Sequence, residues 1–141
     1  MAARSKARKR ALQILFEADQ RGAAPTEVLA DWVRLAKDDH RQPPVSDYAR
    51  ALVEGYAGHA ERIDGLLARH TVGWPLDRMP GVDRNILRLA TFELLCQEDI
   101  PDAVVLDEAV QLAREFSTDD SPAFVNGLLG RLKDLKPTLD G

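Results

Sequence analysis

The chain has 141 residues, of which 45% are hydrophobic and 30% are charged, and its formal net charge is −4. Its one cysteine, Cys96, excludes an intramolecular disulfide framework and a thiolate metal cluster, and it favours a reducing, cytoplasmic location. The sequence shows neither a signal peptide nor a run of ~20 apolar residues that could cross a bilayer, so no membrane partner is predicted.

The first predicted helix joins a cationic tip to an apolar face. Residues 1–16 contain five Lys or Arg residues and no acid, so residues 17–141 carry a formal charge of −9. Apolar residues recur at helical spacing from Ala11 onward, whereas the cations surround the helix tip. We therefore expect residues 1–10 to form a basic arm outside the core that binds a polyanion, with a solvated helix end as the alternative.

Turn and capping residues mark the next helices. Gly22 is typical of a helix end, and Pro25 is favoured in the first turn of the helix that follows. A polar loop then leads to Ser46, whose hydroxyl is a good N-cap for a third helix. Several glycines interrupt the apolar period beyond it, which predicts a bend or a split near Gly58.

The second half of the chain is predicted to be helical as well. After a turn over residues 74–80 the most apolar helix begins, and Glu93 falls inside its apolar face. A buried carboxylate needs hydrogen-bond donors, so we favour a structural role for Glu93 over a catalytic one. Two further helices follow, the last with Ser121 as its predicted N-cap, and residues 136–141 are predicted to be a loose tail. These patterns predict one all-α domain across all 141 residues.

The sequence offers no constellation of residues that indicates catalysis. His40, His59 and His70 are isolated from one another, and no spacing typical of a metal site or a phosphate-binding loop occurs. We therefore predict neither an enzyme nor a bound cofactor. The cationic tip could meet an anionic membrane or a nucleic acid, and a nucleic acid fits better because the adjoining apolar face is needed to close the core. RNA is favoured over duplex DNA because the sequence shows no pattern of a DNA-recognition helix.

Three segments resemble the NusB family of bacterial transcription antitermination factors in their order and spacing. They are residues 7–16 (ARKRALQILF), residues 82–94 (VDRNILRLATFEL) and residues 107–127, which begin with DEAVQLA and end with DSPAFVNG. The resemblance implies about seven helices in two packed helical halves. It also implies binding to boxA RNA of rRNA operons together with the ribosomal protein NusE, within the elongating RNA polymerase complex and its other Nus factors.

The same resemblance implies two zones of RNA contact, which are expected to lie side by side. The candidate RNA-binding residues are Arg4, Lys6 and Arg8 in the arm, and Asp120, Phe124 and the weaker candidate Arg84 in the second zone. The ring of Phe124 could either stack on a base or pack in the core.

A separate face for NusE is implied at Phe16, Asp77 and Asp83. NusE is a basic ribosomal protein, so acidic side chains on an acidic body suit it. We therefore expect Asp83→Lys to weaken NusE binding and to spare RNA binding.

Two alternative hypotheses remain open at this point. The first is a NusB-like RNA-recognition module related to rRNA cytosine methyltransferases, which would need a C-terminal cofactor-binding domain that we do not expect here. The second is a self-associating helical homodimer in which the RNA site is masked until a partner competes.

Overall fold

The computed structural model describes residues 2–139, and within that range it contains helices and no strand. The helices are α1 (Ala2–Arg21), α2 (Pro25–Asp38), α3 (Asp47–Gly58), α4 (Ala60–His70), α5 (Gly81–Cys96), α6 (Asp102–Phe116), α7 (Ser121–Leu135) and a short 3-10 helix (Lys136–Thr138). This architecture confirms the predicted all-α fold of about seven helices.

The helices form two compact units, and the division falls where the sequence predicts a split. The first unit ends at Gly58 and contains α1, α2 and α3; the second begins at His59 and contains the remaining helices. Glycine is a poor helix former, and α3 ends at Gly58, with His59 as the single residue between it and α4. The organisation of both units as one domain stays a prediction.

The first unit is built by packing α1 against α2 and α3. Its core takes the apolar face of α1 together with buried residues of the other two helices: Ala11, Leu12, Ile14, Leu15, Ala18, Val28, Leu29, Leu52 and Val53. The predicted ends of these helices are confirmed. Gly22 has φ +65°, and the N–H of Ala23 donates to the carbonyl of Ala18 at 2.9 Å, which closes α1. The hydroxyl of Ser46 accepts the N–H of Ala49 at 3.2 Å at the start of α3.

The second unit is arranged around α5, which packs against α4, α6 and α7. Its fully buried large side chains are Ile63, Leu67, Ile86, Leu87, Leu94, Leu129 and Leu132. Glu93 exposes only 2% of its surface, which confirms the prediction that this carboxylate is buried. The predicted turn before α5 is present as well, because the N–H of Met79 donates to the carbonyl of Pro75 at 3.0 Å.

The start of α7 differs from the prediction, and Lys136 in the predicted loose tail forms an ion pair. Ser121 is the first residue of α7 instead of its N-cap, which is Asp120. The hydroxyl of Ser121 is buried and donates to Asp83. In the predicted loose tail, Lys136 Nζ lies 2.8 Å from Asp102 Oδ1, while residues 140 and 141 lie outside the described residues.

Candidate nucleic-acid interface

Two arginines at the start of α1 lie against one aromatic ring of α3. The guanidinium carbon of Arg4 is 4.9 Å from the centre of the Tyr48 ring, and that of Arg8 is 5.8 Å from it. Both distances fall within the range of a cation–π interaction. The basic arm is therefore helical from Ala2 and is held to the first unit by Tyr48.

The prediction that residues 1–10 lie outside the core is wrong at Ala7 and Arg8. Ala7 and Arg8 each expose only 3% of their surface. The reason is the helical period, because Arg8 lies one turn before Leu12 on the face of α1 that enters the core. Arginine can bury its aliphatic stem in this way while its charged head rests on an aromatic face. Arg8 is therefore placed to anchor the arm, and little of its surface is exposed.

The other cations of the arm remain accessible to different degrees. Lys6 is exposed and Arg4 is half-buried. Arg10 is held by a second aromatic ring: its guanidinium carbon lies 4.8 Å from the Trp32 ring centre, and its Nη2 donates to the carbonyl of Pro43 at 2.9 Å. The indole N–H of Trp32 in turn donates to Glu17 at 3.1 Å. The arm is therefore a preorganised group of cations on an aromatic support.

The sequence analysis did not identify Tyr48 and Trp32 as supports of the cations. Their partners lie 22 or more residues away in the chain, so no local spacing signals the contact. The one available signal is composition, since aromatic rings on neighbouring helices are natural partners for an arginine-rich helix end.

The second predicted RNA zone lies at the start of α7, in the second unit. Asp120 is exposed at the N-cap position and makes no capping hydrogen bond through its side chain. Phe124 is half-buried, and its ring meets the ring of Trp74 edge to face, with centroids 5.1 Å apart and an angle of 81°. The two roles considered for Phe124 are thus compatible, because one part of the ring packs against Trp74 and another part remains exposed.

Arg84, the weaker candidate for RNA contact, serves the turn that precedes α5. Its Nη1 donates to the carbonyl oxygen of Leu76 at 3.0 Å and to that of Met79 at 3.3 Å. These bonds commit at least one edge of the guanidinium to the backbone of its own unit. Its first role in the structure is therefore to hold the turn against α5.

Asp83, which was predicted to face NusE, is instead a buried structural residue. It is fully buried, and its two carboxylate oxygens accept hydrogen bonds from the hydroxyls of Ser117 and Ser121, the latter at 2.8 Å. Thr118 extends this cluster through a hydroxyl contact of 2.8 Å with Ser121. The implied direct contact of Asp83 with a protein partner is therefore wrong, because the carboxylate is enclosed at the junction of α5, α6 and α7.

The other two residues of the implied NusE face are accessible. Asp77 is exposed in the turn before α5, and Phe16 on α1 is half-buried. Phe16 belongs to the first unit and Asp77 to the second. Asp77 is thus the acidic residue of this set that can meet a partner directly.

Other features bear on what else the protein could bind. Among the described residues, no group of three or more His, Cys, Asp or Glu side chains could hold a metal ion. Burial raises the pKa of the Cys96 thiol, opposed by the nearby charge of Arg62, so the reactive thiolate is disfavoured at neutral pH. Within residues 2–139, no helix has the length and apolar character needed to span a membrane.

These features define the class of the protein: an all-helical protein whose cationic first helix, supported by aromatic rings, is suited to a polyanion. Residues 5–134 match the NusB family. The chain is 71% identical over 139 residues to the transcription antitermination protein NusB of Streptomyces coelicolor, covering 99% of this chain and 98% of that protein. It is 56% identical to NusB of Kineococcus radiotolerans over 139 residues, again covering 99% of this chain and 98% of that protein. The chain therefore belongs to the NusB family of transcription antitermination factors, which are not enzymes.

Solved structures agree with this assignment. The structure of T. maritima NusB matches with a TM-score of 0.81 and 34% identity, covering 93% of this chain and 90% of that chain. A crystal structure of the antitermination factors NusB and NusE in complex with dsRNA contains a chain that matches with a TM-score of 0.79 and 28% identity. That match covers 95% of this chain and 98% of the other.

Proposed function

We propose that this protein binds boxA-like RNA together with NusE and joins the elongating RNA polymerase complex in the cytoplasm as a non-catalytic antitermination factor. The observation that carries the proposal is the group of α1 cations held by Tyr48 and Trp32. Such preorganisation lowers the conformational entropy lost when phosphates are bound. Family membership supports it, since a solved relative contains NusB, NusE and RNA.

The charges of the two units suit the phosphates of RNA at the arm and a basic protein partner at the second unit. Residues 1–58 contain ten Lys or Arg and eight Asp or Glu, which gives the first unit a formal charge of +2. The second unit therefore carries −6. A polyanion is attracted to the first unit through the arm, and a basic ribosomal protein is attracted to the second.

We assign individual roles to the predicted residues. Arg4 and Lys6 contact RNA phosphates, because Lys6 is exposed and Arg4 is half-buried near the start of the arm. Arg8 positions the arm from the core. Phe124 and Asp120 form the second RNA zone, with a ring for base stacking and a carboxylate that accepts hydrogen bonds from base amino groups.

Titration of labelled single-stranded boxA-like RNA, with and without NusE, tests the proposed function. Two phosphate contacts predict that the logarithm of the binding constant falls with the logarithm of salt with a slope of about −1.4. We expect NusE to tighten RNA binding, and a double-stranded RNA of the same sequence provides the comparison. Absence of RNA binding both with and without NusE would refute the proposal. Light scattering over a dilution series, run alongside, detects a homodimer that masks the arm.

A further inference from the structure

A groove of about 580 Å³ lies between α6 and α7 in the second unit. The two helices pack against each other and are joined by residues 117–120 only, so they form a hairpin and run in opposite directions. The lining of the groove includes the apolar side chains of Val110, Pro122 and Ala123, together with longer polar side chains from both sides of the hairpin. The groove is thus large enough to receive several side chains of a ligand.

The polar side chains of this groove have no partner within the chain. Five of them line it: Asp107, Gln111, Arg114, Asp119 and Asn126. Within residues 2–139, none of these five side chains takes part in a hydrogen bond or an ion pair. By contrast, Arg88 on α5 pairs with Asp64 on α4 at 3.0 Å. The groove therefore presents donors and acceptors of both charges to a group from outside the chain.

The hairpin that forms the groove holds most of the negative charge of the second unit. Residues 102–126 contain six Asp or Glu residues and one Arg, which gives a formal charge of −5, compared with −6 for the whole unit. This charge favours a basic ligand in the groove over a phosphate-rich one. The aliphatic stem of a lysine or an arginine can cover Val110 and Pro122 while its charged end reaches a carboxylate.

The groove lies on a different side of α7 from Phe124. Pro122 and Asn126 line the groove, and each is two positions from Phe124, which places their side chains about 160° around the helix from the Phe124 ring. The Phe124 ring meets Trp74, which begins the turn that carries Asp77. A ligand in the groove would therefore leave Phe124 and Asp77 accessible to other partners.

One end of the groove is held to the core of the unit. Thr118 lines the groove, and its hydroxyl lies 2.8 Å from that of Ser121. The hydroxyl of Ser121 donates to the fully buried Asp83 at 2.8 Å. These bonds fix the connection that carries Asp119, so less conformational entropy is lost when a ligand binds there.

We propose that this groove docks an extended, basic segment of a protein partner other than NusE. One basic side chain of the segment meets Asp107, a second meets Asp119, and a carboxylate between them accepts hydrogen bonds from Arg114. Asp107 and Arg114 are seven positions apart on α6, which is about 10 Å along the helix axis, and an extended chain covers that distance in about three residues. The expected pattern is therefore a basic residue, an acidic residue three positions later and a second basic residue directly after it. This docking does not depend on RNA binding.

The probe for this site is the capped peptide Arg-Ala-Ala-Asp-Arg, titrated into the isotope-labelled full chain at low salt. Its control is the capped peptide Asp-Arg-Ala-Arg-Ala, which has the same composition and charge in a different order. NMR spectra report on the groove directly, because the side-chain amides of Gln111 and Asn126 line it. We expect the probe to shift these two signals and to bind about 2- to 5-fold more tightly than the control, the range for one exposed ion pair.

Three variants with changes at exposed positions locate the binding. Asp107→Asn should weaken binding of the probe about 2- to 5-fold, whereas Asp134→Asn makes the same change on α7 outside the groove and should leave it unchanged. Arg114→Ala should also weaken binding, because the carboxylate of the probe loses its partner. General attraction of a cationic peptide to an acidic surface predicts the opposite sign for Arg114→Ala, since the variant is more negative.

Four results would overturn the proposal. Equal affinity of the two peptides, or tighter binding by Arg114→Ala, would show unspecific attraction between charges. Displacement of the probe by NusE would assign the groove to the NusE face. Shifts of the Gln111 and Asn126 amides by single-stranded boxA-like RNA, without shifts by the probe, would assign it to RNA. None of these results contradicts the proposed function, and a failure of RNA binding would not contradict docking in the groove.

Discussion

Replacing Asp83 tests whether this residue stabilises the fold instead of binding a partner. Its carboxylate is fully buried and accepts hydrogen bonds from Ser117 and Ser121. A hydrogen bond to a charged group contributes about 1.5–3 kcal/mol, so Asp83→Ala should lower the free energy of unfolding by at least about 3 kcal/mol. That loss is a large part of the 5–15 kcal/mol that is usual for a protein domain.

Urea denaturation followed by circular dichroism measures this effect. We expect Asp83→Ala to lower the midpoint of unfolding without a change in the denaturant slope. Asp83→Asn should lose less, because its amide keeps one oxygen that accepts a hydroxyl. Asp77→Ala is the matched control at an exposed acid and should stay within about 0.5 kcal/mol of the native protein. A loss below about 1 kcal/mol for Asp83→Ala would refute the structural role.

Three further predictions concern the arm, the partner face and a helix end. Tyr48→Leu removes the ring beneath Arg4 and Arg8 and should weaken RNA binding about 5- to 30-fold, whereas Tyr48→Phe keeps the ring and should bind RNA normally. Equal RNA affinity of the two variants in titrations would contradict this prediction. Asp77→Lys should weaken NusE binding, measured by calorimetry, and should leave the RNA affinity of the isolated protein unchanged or slightly higher. An unchanged NusE affinity would exclude Asp77 from the NusE face. Gly22→Ala should lower the free energy of unfolding by about 1 kcal/mol because φ is +65° at this position, whereas Gly65→Ala should raise it by up to about 1 kcal/mol because alanine is the better helix former. Thermal unfolding of both variants tests these opposite signs.

The sequence by itself determined the local features of this protein, because they depend on neighbours within a turn or two of helix. Gly22, Pro25 and Ser46 specify helix ends through backbone geometry and short-range hydrogen bonds, and each end lies where the sequence predicts it. The period of apolar residues specifies the helices and buries Glu93 as predicted. The family resemblance depends on the same kind of linear pattern, and the comparisons confirm it.

Only the tertiary structure decided which polar residues lie in the core. Asp83 meets Ser117 and Ser121, which are 34 and 38 positions further along the chain, so its sequence neighbourhood does not show that it is enclosed. The helical period places Arg8 beside the apolar face of α1, but its burial also depends on α3, whose Tyr48 lies 40 positions further along the chain. A helical period identifies the apolar face of one helix, but the residues at the edge of that face are covered or exposed according to how the other helices pack against it.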